Sequence, residues 1–275
     1  ASPLKSHPNV RVVEGDVLDP ETLSAACAGV DAILHLAAVA GVSSYYAEPM
    51  KTLRVNLLGT FGVLEAAARS GVKTVLYLSS SEVYGSSAEN VTEEMDCRLG
   101  PTSDPRWVYG ASKVAGEHLV LRHGEAHGVH CTVLRPFNVY GPRQRGEWAV
   151  SNFCRAAAEN RPLTVYGDGS ARRAWCYVSD MVEAVARALD TPASAGQVFN
   201  IGNPLAVESS MGLARRVAAL SPGARIESKP VDHAEIRVRV PVIDKARRLL
   251  GFEPKVGLEE GLRRTLAGFV GERNA

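Results

Sequence analysis

The feature that most constrains the fold is a repeated alternation of short apolar runs with longer amphipathic segments. The apolar runs, such as 74–79 and 131–135, are rich in β-branched residues, which favour strands. A helical segment between two strands lets both strands run in the same direction within one sheet. The pattern therefore predicts an α/β protein built on a doubly wound parallel sheet with helices on both faces.

The predicted elements follow one another without repeats or low-complexity linkers. Strands are predicted at residues 10–13, 32–36, 74–79, 131–135, 163–166 and 198–201. Helices are predicted at residues 20–28, 51–70, 109–127, 152–160, 180–189, 210–220 and 258–270. Asp19 is expected to cap the first helix and Gly71 to end the second. Because shorter elements begin at Gly141, we expect a main domain of residues 1–140 plus 172–204 and a smaller lobe of residues 141–171 plus 205–275.

Composition narrows the class of protein. With 275 residues, 45% of them hydrophobic, the chain buries a sizeable core, and a net charge of +1 leaves no excess basicity for nucleic acid. The five cysteines form no C-x-x-C pair and have no histidine at metal-ligand spacing, so we expect reduced thiols, mostly buried, and no metal site. No apolar run approaches the roughly 18 residues of a membrane span, and no secretory pattern opens the chain. These observations predict a cytoplasmic protein without a membrane partner.

Tyr109 and Lys113 lie four residues apart in a predicted helix. This spacing places both side chains on one helix face, with the ammonium near the phenol. A free tyrosine has a pKa of about 10, and a nearby positive charge favours the phenolate, which is a base. By itself the pair is weak support for catalysis, because the same spacing is common on solvated helix faces.

A cluster of hydroxyl groups follows the predicted strand at 74–79, in the sequence Ser79-Ser80-Ser81-Glu82. Ligands of open parallel sheets bind beyond the carboxyl ends of the strands, so these serines are expected to face the same crevice as Tyr109. One hydroxyl would orient a substrate alcohol while Tyr109 removes its proton. The alternative is that the serines only cap a turn.

Further motifs occur in a fixed order along the whole chain. They are Gly15-Asp16-Val17, His35-Leu36-Ala37-Ala38, Val55-Asn56, Arg135-Pro136-Phe137-Asn138, Tyr166-Gly167-Asp168-Gly169 and Phe199-Asn200-Ile201-Gly202. Together with the Ser80, Tyr109 and Lys113 pattern, the chain resembles the extended short-chain dehydrogenase/reductases that modify nucleotide sugars. The resemblance implies a Rossmann-like sheet that binds NAD and a smaller C-terminal lobe that binds the nucleotide sugar.

The resemblance also assigns residues to each ligand. The implied NAD-binding residues are Asp16, Val17, Leu36, Ala37, Ala38, Asn56, Ser79, Tyr109, Lys113 and Pro136. The implied substrate-binding residues are Asn138 and Asn152 for the sugar diphosphate, Thr164 and Tyr166 for the base, and Arg173 and Arg239 for the phosphates or the sugar acid. Bidentate guanidinium groups suit such anions, although a lone arginine is more often a solvated surface side chain. The match loosens at Val242, where relatives carry an aspartate.

Within this family the chain is most similar to UDP-glucuronate decarboxylases, through residues 49–56, 150–167 and 173–180. Dehydratases place two acids where this chain has Ser81-Glu82, and simple epimerases leave Glu82 without a task. The resemblance implies Ser80, Ser81, Glu82, Tyr109, Lys113 and Arg173 as the catalytic set. Tyr109 would take the C4 proton, Ser80 would orient the oxygen, and Glu82 and Arg173 would lie near the carboxylate and C5.

Several alternatives stay open at this stage. A UDP-sugar 4-epimerase ranks second and a 4,6-dehydratase third, and the nucleotide is UDP or dTDP. The product is UDP-xylose or the UDP-4-keto-pentose. A catalytically inactive protein that only binds nucleotide sugars is the non-enzyme alternative.

The start of the sequence departs from the family pattern. A dinucleotide-binding fold opens with a strand and a G-x-x-G-x-x-G loop, whereas the first glycine here is Gly15. We expect that the opening strand and the glycine-rich loop are missing by truncation, because Ser80, Tyr109 and Lys113 are all retained.

The family resemblance further implies a homodimer formed through the helices at 51–70 and 109–127. Val114, His118 and Leu121 form a stripe at helical spacing on the second of these helices. A stripe of this kind also fits the internal core of a single chain.

Overall fold

The computed structural model describes residues 7–230 and 236–274, with the side chains of residues 272–274 excepted. The helices are α1 (Pro20–Cys27), α2 (Val42–Ala47), α3 (Pro49–Ser70), α4 (Val108–His127), α5 (Ala149–Ala158), α6 (Val178–Asp190), α7 (Ser210–Ala219), α8 (Asp244–Leu250) and α9 (Leu258–Asn274). The strands are β1 (Ala32–His35), β2 (Thr74–Leu78), β3 (Ser87–Val91), β4 (His130–Pro136), β5 (Val139–Tyr140), β6 (Leu163–Tyr166), β7 (Arg172–Ala174), β8 (Cys176–Tyr177), β9 (Val198–Ile201), β10 (Val207–Ser209), β11 (Ile226–Lys229) and β12 (Val238–Pro241).

A four-stranded parallel sheet in the order β1-β2-β4-β9 forms the centre of the molecule. Successive side chains of β2 point to opposite faces, as a strand requires. Val75 and Tyr77 pack with α1, α3 and α4 on one face, whereas Leu76 packs with α6 and α8 on the other. The predicted α/β fold, a parallel sheet with helices on both faces, is confirmed.

Helices α3 and α4, which pack against the same face of the sheet, end at glycines in the left-handed backbone conformation. Pro49 occupies the first turn of α3, where no backbone N–H is needed, and Gly71 closes the helix at φ 68°. Gly59 in α3 allows a close approach, because a Cβ there would lie 2.8 Å from Cγ2 of Val17. Helix α4 ends similarly at Gly128, with φ 64°. These features seat α3 and α4 side by side against the sheet.

A second hydrophobic core lies between three helices and a short strand in the C-terminal half of the chain. Apolar side chains of α5, α7 and α9 pack around β6, and Phe153, Leu163 and Leu213 are among the buried residues there. Strand β6 pairs in parallel with β11. A separate sheet in the order β10-β7-β12-β3 places Arg173 and Arg239 on paired neighbouring strands. The predicted division into two domains stays a prediction.

Most predicted elements agree with the structure to within a few residues, including α1 with Asp19 as its cap. The strand predicted at 10–13 is wrong: these residues form no strand, and Val10, Val12 and Val13 are exposed. A strand needs backbone partners, and the β-branched composition of this segment cannot supply them. All five cysteines are unbridged. Four of them are buried, as predicted for most of the thiols, and Cys97 is exposed. Within the described residues, no helix has both the length and the apolar character needed to cross a membrane.

Candidate active site

Helix α4 carries the central pair of side chains. A short 3-10 helix, Pro105–Trp107, leads into it, and Asp104 caps this turn by accepting a hydrogen bond from Arg106 N at 2.9 Å. Tyr109 and Lys113 are 9% and 2% exposed, and the Lys113 ammonium lies 5.7 Å from the centre of the Tyr109 ring. The predicted proximity of phenol and ammonium is therefore present.

The serine-rich turn lies beside this pair, after the carboxyl end of β2. Ser80 caps a short 3-10 helix, Ser81–Tyr84, by accepting a hydrogen bond from Glu82 N at 3.1 Å. The Ser80 side chain also hydrogen-bonds that of Tyr109. Ser80 therefore has both roles considered from the sequence, as a turn cap and as a partner of the phenol.

The ionisation of Tyr109 and Lys113 differs from the expectation. Burial, with a smaller contribution from the negative charge of Glu82, raises the pKa of Tyr109 to about 12, and Ser80 opposes the rise. Burial lowers the pKa of Lys113 to about 8, against the opposing effect of Glu117. Tyr109 thus carries its proton at neutral pH, because burial removes the phenolate from water.

Glu82 is surrounded by arginines. Its carboxylate lies 2.8 Å from Arg106 Nη2 and 3.5 Å from Arg239 Nη1, and its side chain is 22% exposed. Burial alone would raise the pKa of Glu82, but Arg239, Arg106 and then Arg173 hold it below its usual value. Three guanidinium groups around one carboxylate leave an excess of positive charge beside Tyr109.

The arginines in this cluster are themselves held by the protein. Arg239 is 1% exposed and donates to the carbonyl oxygen of Gly85 at 2.6 Å and to the Ser81 hydroxyl at 3.4 Å. Arg173 donates to the carbonyl oxygen of Ile236 at 3.0 Å. Arg106 is 3% exposed, and its Nε and Nη1 atoms are buried without a hydrogen-bond partner among the described residues. The Arg106 guanidinium lies over the rings of Tyr45 and Trp107, with both ring centres 5.6 Å from its Cζ.

The other predicted substrate residues lie on separate elements: a loop after β4, helix α5 and strand β6. Asn138 adopts φ 42° and donates to the carbonyl oxygen of Ala174, next to Arg173. Asn152 is half-buried in α5. Thr164 donates to Glu227 at 2.7 Å, and Tyr166 is 56% exposed at the end of β6. Their roles in substrate binding stay predictions.

The predicted NAD-binding residues lie mainly beyond the carboxyl ends of the central strands. Leu36 is 52% exposed directly after β1, and Ala37 is exposed beside it. Asp16 is exposed and accepts a hydrogen bond from Leu18 N, while Val17 packs under α3. An exposed apolar surface at the carboxyl end of a parallel strand suits the flat rings of a dinucleotide, so Leu36 and Ala37 fit NAD.

Three members of the predicted cofactor set instead have visible structural contacts. The Asn56 amide accepts from Val39 N at 2.8 Å and donates to the Ser112 hydroxyl at 3.0 Å, which ties the segment after β1 to α4. The Ser79 hydroxyl donates to Glu117. Pro136, half-buried, ends β4. The contacts of Asn56 and Ser79 fix the segments that follow β1 and β2 against α4. Direct contact of these three residues with NAD stays a prediction.

Comparison with known proteins agrees with this geometry. The sequence family described as the NAD dependent epimerase/dehydratase family matches residues 1–202. The chain belongs to this family. Its cofactor is accordingly NAD, and structures of similar proteins contain NAD.

Curated relatives narrow the likeness further. The chain is 36% identical to UDP-glucuronic acid decarboxylase 1 of Arabidopsis thaliana over 97% of its own length and 60% of the relative's length. It is 33% identical to the UDP-N-acetyl-alpha-D-glucosaminuronate decarboxylase of Bacillus cytotoxicus over 95% of this chain and 83% of that protein. The solved UDP-glucuronic acid 4-epimerase of Bacillus cereus, in complex with UDP-glucuronic acid and NAD, superposes with a TM-score of 0.90 at 27% identity, covering 98% and 84% of the two chains.

Sequence reasoning missed three residues that contact this site. Tyr45 is 3% exposed and stacks on Tyr109, with ring centres 5.1 Å apart. Arg106 pairs with Glu82, and its position three residues before Tyr109 was the available signal. Glu117 lies one helical turn beyond Lys113, on the same face, and this spacing also was visible in the sequence.

Proposed function

We propose that this chain catalyses the NAD-dependent oxidation of UDP-glucuronic acid at C4 and its decarboxylation, giving UDP-xylose or the UDP-4-keto-pentose. The observation that carries the proposal is the set of three arginines around Glu82, beside Tyr109. A neutral hexose would leave this excess positive charge uncompensated. A sugar with a carboxylate at its reacting end compensates it, and the names of the curated relatives also contain uronic-acid sugars.

Each side chain has a distinct task in this reaction. The Tyr109 hydroxyl exchanges a proton with the sugar O4, and Ser80, its hydrogen-bond partner, orients that oxygen. Lys113 places a positive charge next to the phenol, which favours the phenolate while the proton moves. When bound, NAD would supply the acceptor for the hydride that leaves C4.

The chemistry of the sugar follows from the position of its carboxylate. A ketone at C4 is β to the carboxylate carbon, so CO2 leaves as the electrons of its bond form an enolate between C4 and C5. Arg239, Arg106 and Arg173 supply the positive charge that attracts the sugar carboxylate. We assign Glu82, which these arginines hold ionised, to relay the proton that replaces CO2 at C5. Release at this stage gives the UDP-4-keto-pentose, whereas return of the hydride to C4 and of the proton from Tyr109 to O4 gives UDP-xylose.

The test is mass spectrometry of the products formed by the full-length protein from UDP-glucuronate and NAD. We expect a product that has lost CO2, and we expect Tyr109→Phe to abolish it. Tyr177→Phe is the matched control, because Tyr177 belongs to the lobe core and should leave turnover unchanged. A wild-type protein that binds NAD but leaves UDP-glucuronate intact would contradict the proposal.

A second candidate is the 4-epimerisation of UDP-glucuronic acid. It is favoured by the Bacillus cereus 4-epimerase, whose fold matches closely and whose substrate carries the same carboxylate. The two reactions differ in product mass, since epimerisation conserves mass and decarboxylation does not. The same experiment with dTDP-glucuronate tests the nucleotide, and we propose UDP on the names of the relatives.

We propose further that the protein acts as a homodimer through α3 and α4. The support is an exposed apolar patch on α3, where Leu58 and Phe61 are 57% and 51% exposed. On α4, His118 is exposed, whereas Val114 and Leu121 pack partly on the chain's own core. We expect Phe61→Glu to convert a dimer to a monomer in light scattering, with Val182→Glu, an exposed site on α6, as the control. A wild-type monomer at micromolar concentration would contradict this proposal.

A further inference from the structure

A buried carboxylate behind the active site has no role in the chemistry described so far. Glu117, on α4, is 5% exposed. One of its oxygens accepts hydrogen bonds from the Ser79 hydroxyl and from Arg135 Nε, the latter at 2.9 Å. The other accepts from Arg135 Nη2 at 2.6 Å. Burying a carboxylate costs several kcal/mol of hydration free energy, and hydrogen bonds and an ion pair such as these offset that cost.

Arg135 extends the contact across the sheet. It is 5% exposed at the end of β4 and donates to the Tyr84 hydroxyl at 2.6 Å, and Tyr84 donates to the Asn200 side chain in β9 at 2.8 Å. Glu117 thus links α4 to the carboxyl ends of β2, β4 and β9. These are the strand ends around which the catalytic turn is built.

Glu117 also acts on Lys113, which lies one turn earlier on the same helix. The Lys113 ammonium donates to the carbonyl oxygen of Leu78 at 2.6 Å and lies 4.6 Å from the centre of the Tyr77 ring. Burial and the charge of Lys113 lower the pKa of His35 to about 4, so this neighbouring ring is neutral at physiological pH. Within the described part of the chain, Glu117 supplies the negative charge that favours the ammonium, and Arg135 pairs with that same carboxylate.

We propose that Glu117 is a positioning residue for the oxidation step: its carboxylate fixes the Ser79–Ser80 turn against α4 and places a negative charge one helical turn from Lys113, the neighbour of Tyr109. The inference rests on the proposed function only in that Tyr109 and Lys113 carry the proton transfer. Glu117 does not touch the reacting atoms, and its effect passes through Ser79 and Lys113.

The test measures the ionisation of Lys113 directly, without substrate. The protein is labelled with [ε-13C]lysine, and the Lys113 resonance is assigned by its loss in Lys113→Arg. The resonance is then titrated in wild type, Glu117→Gln and Glu125→Gln. Glu125 is the matched control, because it lies on the same helix in an exposed ion pair with Arg122. Turnover of UDP-glucuronate is measured over the same pH range.

We expect the Lys113 midpoint near pH 8 in wild type. In Glu117→Gln it should fall by about one pH unit, which lowers the charged fraction at pH 8 and kcat about fivefold, with little change in KM. Glu125→Gln should match wild type. A folded Glu117→Gln with an unmoved midpoint would overturn the proposal even if activity were lost, because the role of Glu117 would then be structural.

Glu117→Gln leaves the buried charge of Arg135 without its partner and can fail to fold. The double variant Glu117→Gln/Arg135→Gln removes both charges, and its midpoint should still fall, by less than in Glu117→Gln, because loss of the Arg135 charge acts in the opposite direction. Glu117→Asp, which restores the charge, should return the midpoint toward wild type. Because the titration uses no substrate, failure of wild type to convert UDP-glucuronate would overturn the proposed function alone.

Discussion

Glu82→Gln is the single substitution that best probes the charge balance of the active site. The change removes the negative charge and keeps the size of the side chain and one acceptor oxygen. In wild type this charge faces Arg106 at 2.8 Å and Arg239 at 3.5 Å, both almost fully buried. Without it, three arginines confront one another with no carboxylate between them. We therefore expect Glu82→Gln to destabilise the folded protein.

The magnitude follows from the burial of the partners. Removing one member of a buried ion pair costs about 3–5 kcal/mol. Glu82 is 22% exposed, and glutamine still accepts a hydrogen bond from Arg106, so the lower end, about 3 kcal/mol, applies. A chain of 275 residues has an unfolding entropy of about 0.6 kcal/mol/K, so the expected decrease in Tm is about 5 °C.

The pH dependence of this effect has a definite sign. The pKa of Glu82 in the folded protein lies below its usual value of 4.5, so the ionised carboxylate stabilises the fold fully above about pH 4.5. That stabilisation is lost as the pH falls through the folded-state pKa. The difference in Tm between wild type and Glu82→Gln should thus be complete at pH 7 and should shrink in acid.

Thermal unfolding followed by circular dichroism at pH 7 and at decreasing pH measures both quantities. Glu89→Gln is the matched control, because Glu89 pairs with Arg172 at the surface, where both side chains are about half exposed. Such pairs contribute about 0–1 kcal/mol, so this control should change Tm by about 2 °C or less. An unchanged or higher Tm for Glu82→Gln at pH 7 would refute the argument that the arginines depend on this carboxylate.

Two further predictions concern buried charge and thiol access. Lys113→Met should abolish turnover and yet raise the free energy of unfolding at pH 7 by about 2 kcal/mol, measured by urea unfolding. The variant removes the cost of burying the ammonium, which has lowered the Lys113 pKa to about 8, and this gain exceeds the loss of one hydrogen bond to Leu78. The penalty is complete below pH 8 and fades as the pH rises toward 10.5, so a gain that persists unchanged at pH 10 would contradict this reasoning. A thiol reagent should modify one cysteine per native chain quickly, and Cys97→Ser should remove that reaction, because the other four thiols are buried. Fast modification of two or more thiols in the folded protein would contradict this exposure pattern.

Prediction from sequence succeeded where a property is local and periodic. Helix α3 was predicted at 51–70 and is observed at Pro49–Ser70, so its end before Gly71 is confirmed and its start lies two residues earlier, at a proline that fixes the first turn. The strand predicted at 10–13 failed for the opposite reason, since its composition favours a strand but no other strand of the described residues pairs with it. The pair of Tyr109 and Lys113 was likewise predictable, because four residues in a helix bring two side chains to one face.

The amino-acid sequence by itself determined the α/β class, the order of the main elements, and the helix that carries Tyr109 and Lys113. Only the tertiary structure decided which charges meet. Arg239 reaches Glu82 from a position 157 residues later in the sequence, and Arg135 meets Glu117 only because β4 lies beside α4. The ionisation of Tyr109 also depended on the fold, because burial raises the phenol's pKa and no spacing along the chain reports burial. Local periodicity sets elements, whereas electrostatics depends on distance and solvent exclusion in three dimensions.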